Sequence, residues 1–179
     1  MSSKTSHDAI ALLKADHRAV EELFDQYEKS RSTAKKAKLA EKICMELTIH
    51  TMIEEEILYP ACRGKIESDQ LEEAYVEHDG AKILIVELLS GEPDDEFFDA
   101  KVKVLSEDIK HHVKEEERRN DGLFALAKKA DIDLEAVGSK LHARKQELVK
   151  TFKRDGLPAP RTRTFSNRSR TGEKVEASV

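Results

Sequence analysis

The sequence predicts an all-α protein: an antiparallel up-down four-helix bundle with an additional C-terminal helix and a disordered tail. Three observations carry that expectation. Of 179 residues, 37% are charged and only 5% aromatic, with no Trp, a balance rich in helix formers and poor in the residues that sheets favour. Four stretches place apolar residues at alternating steps of three and four, the seam of an antiparallel bundle. Between them stand short breakers such as Ser90-Gly91-Glu92-Pro93, which helices do not cross.

The elements follow in order. The first helix runs from about Asp8 to Lys29 behind a cap at Ser6, with Ile10, Leu13, His17, Val20, Phe24 and Tyr27 on its seam. The second starts near Lys35 and continues to Pro60 or Gly64, with Ile43, Leu47, His50, Glu54 and Ile57 inward. The third spans roughly residues 69–89 and turns Leu71, Tyr75, His78, Ala81, Ile85 and Leu88 to the core. The fourth opens on Asp94 and Asp95, which suit a helix N-terminus, and reaches about Ala130. Its seam is Phe98, Val102, Leu105, Ile109, His112 and Glu116, and Gly122 marks a kink or bulge. Asp133 caps a fifth helix that ends at Asp155-Gly156. The domains are therefore residues 1–130 for the bundle, 131–155 for the appended helix and 156–179 for the tail.

Composition also excludes function classes. No run of about 18 apolar residues is present, so nothing is expected to span a membrane. The start lacks the basic-then-apolar order of a signal peptide, and Cys44 and Cys62 sit inside helical patterns as buried small residues. A reduced, cytoplasmic protein is the expectation. Arg161, Arg163, Arg168, Arg170 and Lys174 against Glu173 and Glu176 leave residues 156–179 at +3. With a net charge of −5, the body is then at −8. An acidic body argues against nucleic acid as the main partner. The basic tail leaves room for an unknown protein partner.

Each seam is interrupted by one histidine, and in the second and fourth helices by a glutamate one turn later. Polar groups at core positions cost free energy unless paired. His17 and His50 are 33 residues apart, and His78 and His112 are 34 apart, so the chain reads as two similar hairpins. At about 1.5 Å per residue, the histidines of a hairpin lie at similar heights and can meet near mid-bundle. Four His and two Glu are too many donors for one tetrahedral zinc, and a natural set for two metal ions bridged by carboxylates. His111 is about 100° off the seam, which favours His112. His7 and His142 are expected at the surface. No nucleotide-binding glycine loop or Ser-His-Asp order is present, which argues against an ordinary hydrolase.

Asp16-His17, His50 to Pro60, Glu77 to Lys82 and His111 to Glu117 together resemble the motifs of hemerythrin-like, HHE cation-binding domains. The resemblance covers roughly residues 8–130. It implies a bundle holding a non-haem di-iron centre with His17, His50, Glu54, His78, His112 and Glu116 as ligands, the two glutamates bridging. Zinc or manganese could stand in place of the two Fe ions. The family includes oxygen carriers and proteins that sense or handle oxygen, nitric oxide or iron, and a bacterial origin is implied. Oxygen-carrying members have a further histidine where this chain has Ala74. Glu55, Glu77, His111, Tyr59 and Tyr75 are candidates to substitute for it or to make supporting contacts around the ligands, Glu55 and Glu77 being the ones named as substitutes. The expected function is binding, sensing or storage of O2, another small diatomic molecule or peroxide, in preference to catalysis. An enzyme turning over peroxide, Fe(II) or nitric oxide, and a structural zinc bundle, are the alternatives.

Overall fold

The computed structural model describes residues 8–165. Helix α1, Ala9–Lys29, is capped by Asp8, whose carboxylate accepts from the Ala11 N–H at 2.8 Å. The expected cap Ser6, together with His7, lies outside the described residues. Ser32 caps α2, Thr33–Ile53, by accepting from the Lys35 N–H. After short α3, Tyr59–Cys62, come α4, Ser68–Leu89, and α5, Phe98–Glu116. A short α6, Leu123–Lys129, precedes α7, Leu134–Asp155, which Asp133 caps as expected. No strand occurs among the described residues. Helices α1, α2, α4 and α5 pack in a ring, each against the next, and α7 lies on α1 and α2.

The interior is divided. One apolar cluster includes Val20, Phe24, Leu47, Ile85 and Leu105. Another includes Ile10, Leu13, Ile53, Leu58, Leu123 and Leu141. Between them every helix of the ring interrupts its stripe with a histidine: His17 between Leu13 and Val20 on α1, and His50 between Leu47 and Ile53 on α2. The polar layer therefore sits at mid-bundle, closed above and below by apolar packing.

Three elements differ from the sequence expectation. The second helix does not run through as a plain α-helix: Glu54–Leu58 form a π-helical turn, in which the Tyr59 N–H donates to the Glu54 carbonyl five residues back. Pro60 supplies a physical reason, since it has no N–H for the Glu56 carbonyl and its ring crowds the preceding turn. The extra residue moves the seam from Ile57, half-buried, to Leu58 and Tyr59, both fully buried. The fourth helix stops at Glu116 instead of Ala130, and residues 117–122 cross to α6. Residues 156–165, expected as tail, form no helix or strand but return to the bundle: Leu157 packs against both apolar clusters, and Arg163 and Thr164 bond Asp79. The remainder of the expected tail, residues 166–179, lies outside the described residues.

The break after α5 is tight. A Cβ on Gly122 would stand 2.6 Å from the Arg118 nitrogen and from the Glu115 and Glu116 carbonyl oxygens. Those are backbone atoms that cannot swing aside. Gly122→Ala should therefore destabilise the chain by about 1–3 kcal/mol. Urea unfolding reads this, and an unchanged midpoint would contradict the contact.

Candidate metal centre

All six inward positions converge. His17, His50, His78 and His112 are buried, as are Glu54 and Glu116. The Nε2 atoms of His17 and His50 face one another at 3.1 Å, and those of His78 and His112 at 3.3 Å. Glu54 Oε2 stands 3.2 Å from His50 Nε2 and 3.3 Å from His78 Nε2. Glu116 Oε2 stands 3.5 Å from both His17 Nε2 and His112 Nε2. Each carboxylate thus reaches one imidazole of either pair. Two groups of donors could each hold a metal ion, one of His17, His50, Glu54 and Glu116, the other of Glu54, His78 and His112.

The donor chemistry fits metal ions. Glu54 Oε1 and Glu116 Oε2 are buried without a hydrogen-bond partner, which interiors rarely tolerate unless something else takes the lone pair. Burial works against charge on His50, yet Glu54 and Asp16 outweigh it and raise the imidazole to about 10. His112 is raised to about 9, with Glu116 and Glu77 outweighing burial. Burial likewise pushes Glu54 up, but His50 and His78 hold it well below the usual carboxylate range. Protons thus neutralise the donors where no ion does, and an ion would displace them.

Three of the four rings are also bonded at the outer nitrogen, and the fourth faces a carboxylate there. His17 Nδ1 meets Glu117 Oε1 at 2.8 Å, His78 Nδ1 meets Glu55 Oε1 at 3.0 Å, and His112 Nδ1 meets Glu77 Oε2 at 2.7 Å. His50 Nδ1 faces Asp16 Oδ2 at 3.7 Å, too long for a direct bond. An Nδ1–H that donates to a carboxylate leaves Nε2 with its lone pair inward, as a metal ligand requires. Burial would raise all four carboxyls, but the facing imidazole helps to hold each below its ordinary range.

These outer carboxylates give two of the candidates a place and add two further residues. Glu55 and Glu77 make the supporting contacts, bonding the outer nitrogens of His78 and His112. Asp16, facing His50, and Glu117, bonded to His17, complete the set. The signal available was position, since each of the four outer carboxylates is the chain neighbour of an inner donor. His111 is exposed, 3.5 Å from Glu77 on the far side from the centre. His142 is half-buried on α7 and belongs to neither donor group. Cys44 and Cys62 are buried free thiols, pushed up to about 12 and about 11 chiefly by burial.

The two halves repeat one plan with one difference. The His17 ring stacks on Phe124 at 5.7 Å, and the His78 ring stacks on Tyr59 at 5.4 Å. Both aromatics follow a leucine that comes shortly after an inner glutamate, Glu116 or Glu54. Tyr59 adds a hydroxyl, placed by the π-helical turn 3.2 Å from His78 Nε2, 3.2 Å from Glu116 Oε1 and 3.4 Å from Glu54 Oε2. It stands on the side of the His78–His112 pair, the half that has the smaller donor group. Tyr75 makes no hydrogen bond to the donors and packs edge-on against Tyr59 at 5.2 Å.

A family model described as the hemerythrin HHE cation binding domain matches residues 8–120. A DNA nickase of Nostoc sp. is 28% identical over 116 residues, 65% of this chain, which spans only 33% of that relative's length. A hemerythrin HHE cation binding domain-containing protein from Mycobacterium kansasii, known from a crystal structure, superposes with a TM-score of 0.70. That match covers 84% of this chain and 94% of the other at 21% identity, so it speaks to the fold. No helix among the described residues is long and apolar enough to cross a membrane.

Proposed function

The chain belongs to the hemerythrin HHE cation-binding family, and from that premise we propose that it is a non-haem di-iron protein that takes up O2 or a related small oxidant, in sensing, storage or stress response. The observation that carries this reading is the bridging geometry: two imidazole pairs with two buried carboxylates, each reaching one imidazole of either pair. Imidazole and carboxylate donors suit iron, with manganese and zinc as competitors. Two irons held there would supply the electrons and the open position that O2 needs. The protein's own residues do the rest. His17 and His50 with Glu54 and Glu116 would hold one ion, and Glu54 with His78 and His112 the other. The outer carboxylates fix ring orientation.

The surroundings select for small size. A void of about 10 Å³ lies against the four histidines, walled by Val20, Leu47, Ile109 and Val113, enough for one water-sized molecule. Asp16, Glu46 and Thr51 complete the lining, and a space of this size suits a small molecule and not a larger substrate. The Tyr59 hydroxyl supports a second reading, turnover of peroxide, Fe(II) or nitric oxide, because it places a proton donor against both inner glutamates and the His78 imidazole.

Anaerobic purification followed by exposure to air tests both. The di-iron reading expects about two irons per chain and charge-transfer bands that appear on oxygenation. Long-lived bands support uptake, and bands that decay through repeated cycles support turnover. Tyr59→Phe should keep the iron and change the band lifetime if the hydroxyl delivers a proton. Zinc, or no metal and a flat spectrum, would remove the oxygen chemistry and leave the bundle.

A further inference from the structure

Asp79 and Lys82 share the Glu77–Lys82 stretch of α4 with His78, and neither is among the six inner donors. Asp79 is fully buried and Lys82 is 6% exposed. A buried ammonium and a buried carboxylate are costly unless their hydrogen bonds are satisfied. Lys82 Nζ donates to Glu55 Oε1 at 2.6 Å and to Asp79 Oδ1 at 3.0 Å. Glu55 Oε1 is the same oxygen that faces His78 Nδ1. The other oxygen of Asp79 accepts from the Arg163 N–H at 2.7 Å, the Thr164 N–H at 2.5 Å and the Thr164 hydroxyl at 2.8 Å.

A continuous hydrogen-bonded path thus runs from the returning C-terminal strap through Asp79, Lys82 and Glu55 to His78. A parallel contact backs it: the Arg163 guanidinium lies over the Tyr75 ring at 4.6 Å, and Tyr75 packs on Tyr59. Glu55 has a flexible side chain and is partly exposed, so nothing on its own element keeps it on the imidazole. Lys82 does, and Asp79 holds Lys82. On the other half, Lys145 of α7 makes the equivalent ion pair with Asp16, the carboxylate facing His50, and no strap is involved. The two halves are therefore supported by different parts of the C-terminal region.

We propose that Asp79 and Lys82 are positioning residues for the ion of the His78–His112 half, and that the strap at Arg163–Thr164 clamps them in place. Resting on the two-ion reading, the proposal predicts unequal effects on the two ions. The full-length chain is loaded anaerobically with Fe(II) and challenged with excess chelator, and release is followed in time. In Lys82→Met, one ion should leave about tenfold or more faster while the other keeps the wild-type rate. Lys145→Met should accelerate the other ion instead. In a His112→Ala background, which retains the His17–His50 group, Lys82→Met should leave release of the remaining ion unchanged. Thr164→Pro, on the exposed strap, removes two donors to Asp79 without touching the core. It should speed the same ion as Lys82→Met, by a smaller factor. Equal acceleration of both ions, or none, would overturn the proposal. A wild-type chain that takes up at most one ion would instead overturn the two-ion reading, before any variant is compared.

Discussion

On the proposed two-iron reading, replacing Glu54 by alanine should empty both halves of the centre, taking iron content from about two per chain to near zero. Glu54 is the one residue common to both donor groups, with Oε2 within 3.3 Å of imidazole nitrogens from α2 and α4. Its loss removes a ligand from each ion and leaves the imidazoles without the buried negative charge that faces them. His112→Ala removes a donor from one group only and should retain about half the metal. His111→Ala should change it little, because that side chain is exposed and reaches only Glu77. Metal analysis after anaerobic loading, with circular dichroism to show that each variant is helical, reads the series. Equal losses in the two histidine variants would mean that α5 is rotated from the observed register. Retention of two ions by Glu54→Ala would rule out the bridge.

Stripping the metal should lower the melting temperature by roughly 5–10 °C. An ion that binds only the folded chain, present at a hundredfold over its dissociation constant, adds about 2.7 kcal/mol. A chain of this size shifts by about 2–4 °C per kcal/mol. The physical source is the polar layer itself. Without ions, one buried oxygen each of Glu54 and Glu116 lacks a hydrogen-bond partner, and four imidazoles share the interior with two carboxylates. Because an ion must displace the protons that His50 and His112 hold up to about 10 and about 9, metal affinity should rise with pH and the stabilisation with it. Thermal scans with and without chelator, repeated at two pH values, check both parts. A chelator that leaves the transition unmoved would show that the layer is satisfied by protons alone.

The six inner donors were legible because their inward direction is a local property of a helix. A histidine that continues a three-four stripe must face the core, whatever the helix packs against. The outer carboxylates were less so, although each neighbours an inner donor in the chain. Whether Glu117 serves His17, 100 residues away, depends on how α1 and α5 are rotated about their axes. Tyr59 shows the cost of assuming a regular helix. Its central place follows from one extra residue in the turn before Pro60, and a 3.6-residue count puts Ile57 on the seam instead.

Periodicity along single helices, with matched spacings in two hairpins, was enough to determine an all-α bundle and the layer of four His and two Glu turned to its interior. Tertiary structure alone decided which carboxylate backs which imidazole, which half receives the tyrosine hydroxyl, and that Asp79, Lys82 and Lys145 tie the C-terminal region to the centre. The first set depends on neighbours within a few turns of the same helix. The second depends on side chains brought together from distant parts of the chain, and no repeat in the sequence encodes those meetings.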